Sequence, residues 1–267
     1  MPLYSKIETD TSSAYLAKIA TALDAPPCLL GGWAVYLTVN DAFSREQGRD
    51  YLGSRDIDLG FDVPASLPAA RLKTESIGRC LATLSDLGFQ NVGFRYCKQF
   101  QYETGEELSE EEARTTPAHD IFTLYIDPVV NEIHPAFKKT FGFTPVDEPL
   151  LSLVFPQQKY RREVTAFDVR LLIPSPEALI AMKVNCLPRR TKDEKLVKDL
   201  CDIYALLWYS GEPFQTVKKE TWEIVREETR KTLRSFLGKD HSVIQRASVA
   251  MGINETTINR LLDSFVG

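Results

Sequence analysis

Residues 28–32 read Cys-Leu-Leu-Gly-Gly, and Trp33 to Val39 follows at once with helical apolar content. A short apolar strand that runs through paired glycines into a helix leaves little choice of local fold. The glycines supply backbone conformations closed to other residues and let a ligand approach the main chain closely. They also leave free amides at the N-terminus of the next helix, a favourable place for phosphate. A tight strand-to-helix turn with no ligand looks the same in sequence, so the pair alone assigns no function.

The next informative stretch lies beyond Asp41–Ser54, which is polar and reads as a loop. From Asp56 to Val63 the pattern alternates, with Asp56, Asp58 and Gly60 on one strand face and Ile57, Leu59 and Phe61 on the other. Two carboxylates at that spacing point the same way, about 6.6 Å apart along the chain. They repel unless a cation lies between them. Mg2+ suits such a pair, since it binds through one or two carboxylates plus phosphate oxygens. Two-metal chemistry places the ions about 3.5–4 Å apart and normally requires a third carboxylate. Asp127, at the end of the apolar run Ile121–Ile126, is the first candidate. Asp120 precedes the same run, and Asp62 shares the Asp58 face but about 13 Å away. The plain alternative for Asp127–Pro128 is a turn after a strand.

Composition narrows the chemistry further. The five cysteines are scattered, odd in number and without a C-x-x-C pair, and the three histidines are not at ligand spacing. A disulfide framework and a zinc centre are therefore not expected. The net charge of −5 speaks against tight, sequence-independent nucleic-acid binding, although RNA as a transient substrate remains compatible with it. No apolar run approaches the roughly 20 residues that span a bilayer, and the first residues lack a signal-peptide profile. The expectation is a cytoplasmic chain with no membrane association.

Elsewhere the pattern predicts a first helix capped by Ser12–Ser13 and running to about Leu23, with Pro26–Pro27 beyond it. It predicts a helix over Ala69–Leu87 closed by Gly88, a hairpin from Val92–Tyr96 and Gln99–Tyr102, and a solvated loop or short helix over Glu106–Glu112. Further β segments are expected at Leu150–Phe155 and Val164–Ile173. Ser175–Pro176 is a strong helix start, followed by about four helical segments. The expected fold class is α+β. A mixed sheet with flanking helices over residues 1–150 would be followed by a mostly helical part, 151–267, that completes the active site.

Gly31–Gly32–Trp33–Ala34–Val35 followed by Arg55–Asp56–Ile57–Asp58–Leu59 resembles the signature of the DNA polymerase β-like nucleotidyltransferase superfamily. Antibiotic nucleotidyltransferases carry a similar pattern, as does the abortive-infection toxin family (AbiEii/AbiGii). Glu177 to Lys183, then Arg189–Arg190, then Lys198–Asp199–Leu200–Cys201–Asp202–Ile203–Tyr204 resembles the second block of the toxin family. The resemblance spans about residues 28–62 and 174–208. Ser54 keeps that family's Ser/Thr position, while Leu52 stands where it has an arginine.

The resemblance implies a Mg2+-dependent enzyme, with Mn2+ as a substitute, that uses ATP or another nucleoside triphosphate. Asp56, Asp58 and Asp127 would hold two ions. Gly31, Gly32, Ser54, Arg55, Lys183, Arg189, Asp199 and Asp202 would bind nucleotide, with Lys183 neutralising phosphate and Asp199 or Asp202 orienting it or the base. An acceptor hydroxyl would attack the α-phosphate and release pyrophosphate. The implied acceptor is tRNA, another RNA or a protein in a toxin–antitoxin setting, with an antitoxin as partner. The alternatives are a small-molecule, antibiotic-type nucleotidyltransferase and a nucleotide-binding regulatory module without turnover.

Plainer readings stand beside these. A helical lysine such as Lys183 is usually solvated or salt-bridged. Lys198, Asp199 and Asp202 fit the wet face of a helix whose core side is Leu200, Ile203 and Leu207. Arg189, Arg190 and Lys192 fit a polar connecting loop, and His134 before Pro135 reads as structural.

Overall fold

The structure, a computed structural model, describes residues 4–187, 190–237 and 241–267. Its contacts divide the chain discontinuously. Residues 4–33 and 53–174 form one compact unit, and residues 34–52 and 175–267 form the other. The sequence expectation was a single soft boundary near residues 140–175, taken at 150; the break after Pro174 falls within that range, and the segment 34–52 is the part not expected.

Among the described residues the first unit holds one mixed sheet of eight strands: β1 (Cys28–Leu30), β2 (Ile57–Phe61), β3 (Gln90–Val92), β4 (Arg95–Gln101), β5 (Ile121–Val130), β6 (Val146–Asp147), β7 (Arg161–Ala166) and β8 (Val169–Pro174). The order is β3-β4-β5-β2-β1-β8-β7, with β6 added on β5. β2 is central, antiparallel to β1 and parallel to β5. Ile57, Leu59 and Phe61 are buried, as the alternation requires. The fold class is α+β.

The first helix, α1 (Lys6–Thr21), starts earlier than expected because Ser5 and Glu8 form a capping box. Ser12 lies mid-helix and is fully buried. The second, α2 (Gly31–Gln47), leaves β1 with no loop and extends well past Val39 into the stretch expected to be a loop. The reason lies in the second unit, where Phe43 is fully buried with its ring edge-on to Tyr51 and Tyr209. The helix expected over Ala69–Leu87 is a 3-10 turn at Ala69–Arg71 and then α3 (Ser76–Asp86), with Gly88 at φ +78 after it. The hairpin turns at Gly93–Phe94, so Gln99 belongs to the same strand as Arg95. A short α4 (Glu110–Thr115) carries its own capping box.

Two departures shape the site. β5 does not stop at Asp127–Pro128 but continues to Val130, so the expected alternative of an Asp-Pro turn is not what the chain forms. Ladder pairing with β4 has ended at Ile126 by then, so the missing proline N–H breaks no bond on that side. After the short α5 (Phe137–Phe141), Leu150–Phe155 is not a strand but contains α6 (Leu151–Val154). Its Leu151 packs over Gly60, where a methyl group would sit 3.2 Å from a Leu151 methyl carbon. Glycine on the Asp58 face of β2 thus makes room for a helix.

The second unit contains the rest of α2 and, among the described residues, six further helices: α7 (Pro176–Cys186), α8 (Asp193–Tyr209), α9 (Phe214–Ile224), α10 (Glu227–Leu237), α11 (His241–Met251) and α12 (Glu255–Val266). That is more than the four segments expected. Pro176 opens α7, and every side chain from Pro176 to Val184 is buried. Among the described residues no helix is long and apolar enough to cross a membrane.

Candidate active site

The β1–α2 junction is as tight as the paired glycines suggest. Gly31 adopts φ +59, a conformation disfavoured for any side chain. A methyl group there would also sit 1.9 Å from Oδ2 of Asp58. The N-terminus of α2 and the Asp58 carboxylate therefore meet at one point, and only glycine permits the approach. The first turn of a helix ordinarily leaves its amides without intrahelical partners and carries the positive end of the dipole, and here that turn begins at Gly31.

Asp58 lies on β2 between Leu30 of β1 and Asp127 of β5, in register with both. Asp56 precedes the strand in a bend. That bend is fixed by its neighbours. The Ser54 hydroxyl donates to the Asp56 carbonyl at 2.9 Å, and the Trp33 indole N–H donates to the Ser12 hydroxyl at 2.8 Å. That hydroxyl in turn donates to the Arg55 carbonyl at 2.7 Å. One hydrogen-bonded chain thus ties α1, the start of α2 and the approach to the aspartates together. The Arg55 guanidinium reaches Glu8 at 3.1 Å and Asp56 at 3.5 Å. Ser54 and Arg55, expected to touch nucleotide, thus set the backbone and charge of the Asp56 bend. Glu8, Ser12 and Trp33 were not foreseen in this role, although the Ser-x-x-Glu capping pattern was there to be read.

Asp127 is the carboxylate that the sheet brings beside the pair. Asp120 sits seven residues away in a 3-10 turn just before β5, beside His119, and Asp62 is tied to Asn131 at 2.8 Å beyond the end of β2. Asp127 is only 8% exposed. Its two carboxylate oxygens accept from Arg95, Oδ1 from Nε at 2.9 Å and Oδ2 from Nη2. Arg95 opens β4, one residue beyond the Tyr96–Ile126 pair, and so stands opposite Asp127. Burial works against its charge, but Asp127, Asp56 and Asp58 outweigh it and raise its pKa.

Among the described residues no three or more histidines, cysteines, aspartates or glutamates are arranged to hold a metal ion together. The donors that do converge are carboxylate oxygens beside a glycine-made recess. That chemistry fits a hard divalent cation on Asp56 and Asp58, with the third carboxylate engaged by a guanidinium.

The remaining expected residues assemble within the helical unit. Lys183 of α7 contacts Asp199 at 2.9 Å and Asp202 at 2.6 Å. Lys198 pairs with Asp202 at 2.5 Å, and Arg190 with Asp199 at 2.6 Å. The Tyr51 hydroxyl donates to Asp202 at 2.8 Å. Burial opposes the charges of both Lys183 and Asp202, yet Asp199 and Asp202 together raise the pKa of Lys183, and Lys183 and Lys198 together lower that of Asp202. These aspartates are not on a wet face; Asp202 has no exposed surface. Arg189 lies outside the described residues. His134 is buried and bridges Leu67 and Ala136, a structural part.

No protein-family model and no curated protein matches the sequence. Among solved structures, the chain is similar to an antigenic nucleotidyltransferase-like protein from Paracoccidioides brasiliensis, at 16% identity. That alignment covers 88% of this chain and 94% of the other, with a TM-score of 0.40.

Proposed function

We propose that the chain is a metal-dependent nucleotidyltransferase, which moves a nucleoside monophosphate from a nucleoside triphosphate to an acceptor hydroxyl and releases pyrophosphate. The juxtaposition of Asp58 with Gly31 carries this assignment. It puts helix-terminal amides, suited to phosphate, at the same strand end as two carboxylates suited to a hard cation.

In this account the amides of Gly31 and Gly32 receive the triphosphate. Asp56 and Asp58 hold Mg2+, which when bound neutralises charge on the phosphate oxygens. Ser54, Ser12 and Trp33 fix the Asp56 bend, and Arg55 balances its charge from behind. The acceptor oxygen attacks the α-phosphorus in line as the bond to the β,γ-pyrophosphate breaks, and the acceptor's proton leaves to a base or to water. The second sequence block, from Glu177 to Tyr204, supports a toxin-type enzyme whose acceptor is an RNA or a protein.

Each of the four NTPs labelled at the α-phosphate, incubated with Mg2+, total RNA and cellular protein, tests both levels. Pyrophosphate release with label moving to RNA or protein, lost in Asp56→Asn and Asp58→Asn, is the expected result. Label confined to small molecules would shift the acceptor to the antibiotic-type reading. No pyrophosphate release with any NTP and acceptor would count against transfer itself.

A further inference from the structure

The third carboxylate of this site is already occupied by a side chain. Arg95 meets both oxygens of Asp127 in the two-pronged geometry that a planar guanidinium offers a carboxylate. It is held there from other sides as well, its cation 4.2 Å from the ring centre of Tyr125 and 5.0 Å from that of Phe94. Tyr125 lies two residues before Asp127, on the same face of β5. The pair is only part-exposed, at 19% and 11% for the two side chains, so its geometry is set by packing and is weakly screened by water. A divalent ion brought to Asp127 would meet a fixed positive charge on the same carboxylate.

We propose that Arg95 is the resident second cation of this site: the chain binds one divalent ion, on Asp56 and Asp58, and a guanidinium in place of an ion on Asp127. The inference rests on the nucleotidyltransferase reading and changes its ion count. A guanidinium cannot leave with product, so one positive charge beside the aspartates is permanent, and Asp127 positions that charge without ligating an ion.

Counting bound Mn2+ tests this without turnover, from the loss of the free-ion EPR signal at saturation. Wild type should bind one Mn2+ per chain, and the Asp56→Asn/Asp58→Asn variant none. Arg95→Met, which keeps an unbranched apolar stem but removes the charge, should bind two. Arg95→Lys should stay at one, and so should Asp127→Asn, because Asp127 is not a ligand. Thermal melting of each variant establishes that it is folded. One ion in both wild type and Arg95→Met would overturn the inference and leave the metal on Asp56 and Asp58 intact. Two ions in wild type, falling to one in Asp127→Asn, would likewise overturn only the inference. No ion in wild type would sink the metal reading and the inference with it.

Discussion

The two ionic clusters of this chain are built from the same residue types and differ in how their charge is closed. In the helical unit, Asp199 and Asp202 are matched by Lys183, Lys198 and Arg190, with Tyr51 adding a hydrogen bond. Acids and bases are interleaved and Asp202 is sealed from water. In the sheet unit, Asp58 and Asp127 are neighbours across β2 and β5 and Asp56 lies in the bend before β2; Arg95 engages Asp127, and Arg55 is shared between Glu8 and Asp56. A closed cluster spends its charge on itself. In the sheet unit the acidic residues lie beside the N-terminus of α2, where the helix dipole is positive.

The largest effect should come from opening the closed cluster. Removing one partner of a buried ion pair leaves an uncompensated charge and destabilises by about 3–5 kcal/mol. Asp202→Ala should lose that much in urea unfolding. A loss under about 1 kcal/mol would place the cluster with weak surface pairs. The same cluster sets a pH window. Asp202 has a lowered pKa in the folded chain, so its contribution is present above the ordinary carboxylate range near 4 and is lost as pH falls through the folded value. Lys183 is raised, so its contribution holds below the ordinary lysine value near 10.4 and fades only as pH climbs to the folded value. Wild-type stability should therefore fall at the acid end, and less so in Asp202→Ala.

At the open cluster, Gly31→Ala should destabilise by about 1–3 kcal/mol, since it forces a strained backbone and drives a methyl group into Asp58. Calorimetry checks the loss, and unchanged stability would mean that the Gly31–Asp58 approach is not tight in solution. Smallest should be Tyr51→Phe, which removes one of several hydrogen bonds to a charged group, about 1 kcal/mol. Lys183 and Lys198 still hold Asp202, which should keep the measured loss small. A loss as large as that of Asp202→Ala would mean Tyr51, and not the lysines, closes the cluster.

What the sequence revealed follows the same division. Strand, paired glycines and helix were legible because local conformation dictates them; the Asp56–Asp58 pair was legible as a motif, but Asp56 was expected on the strand and lies in the bend before β2. Asp127 was legible as the end of an apolar run, though not as mid-strand, since Asp-Pro usually ends one. Arg95 was not legible at all. It meets Asp127 across 32 residues through the β4–β5 ladder, and the expected hairpin, with its turn between Tyr96 and Gln99, had put Arg95 in a different strand. Leu150–Phe155 read as β because its residues are apolar, whereas Gly60 and Leu151 favour a helix by packing. In the helical unit Asp199 and Asp202 were expected to bind nucleotide, with a solvated face as the plain alternative; their burial was not legible because the partners that allow it, Lys183 and Tyr51, come from other segments.

The most direct test of the account is the melting temperature of the purified protein with ATP, CTP, GTP or UTP, each with and without Mg2+, beside an Asp56→Ala/Asp58→Ala variant. An upward shift with at least one NTP, which requires Mg2+ and disappears in the variant, is expected. No shift with any NTP, or a shift the variant retains, would contradict a nucleotide site built on Gly31, Asp56 and Asp58.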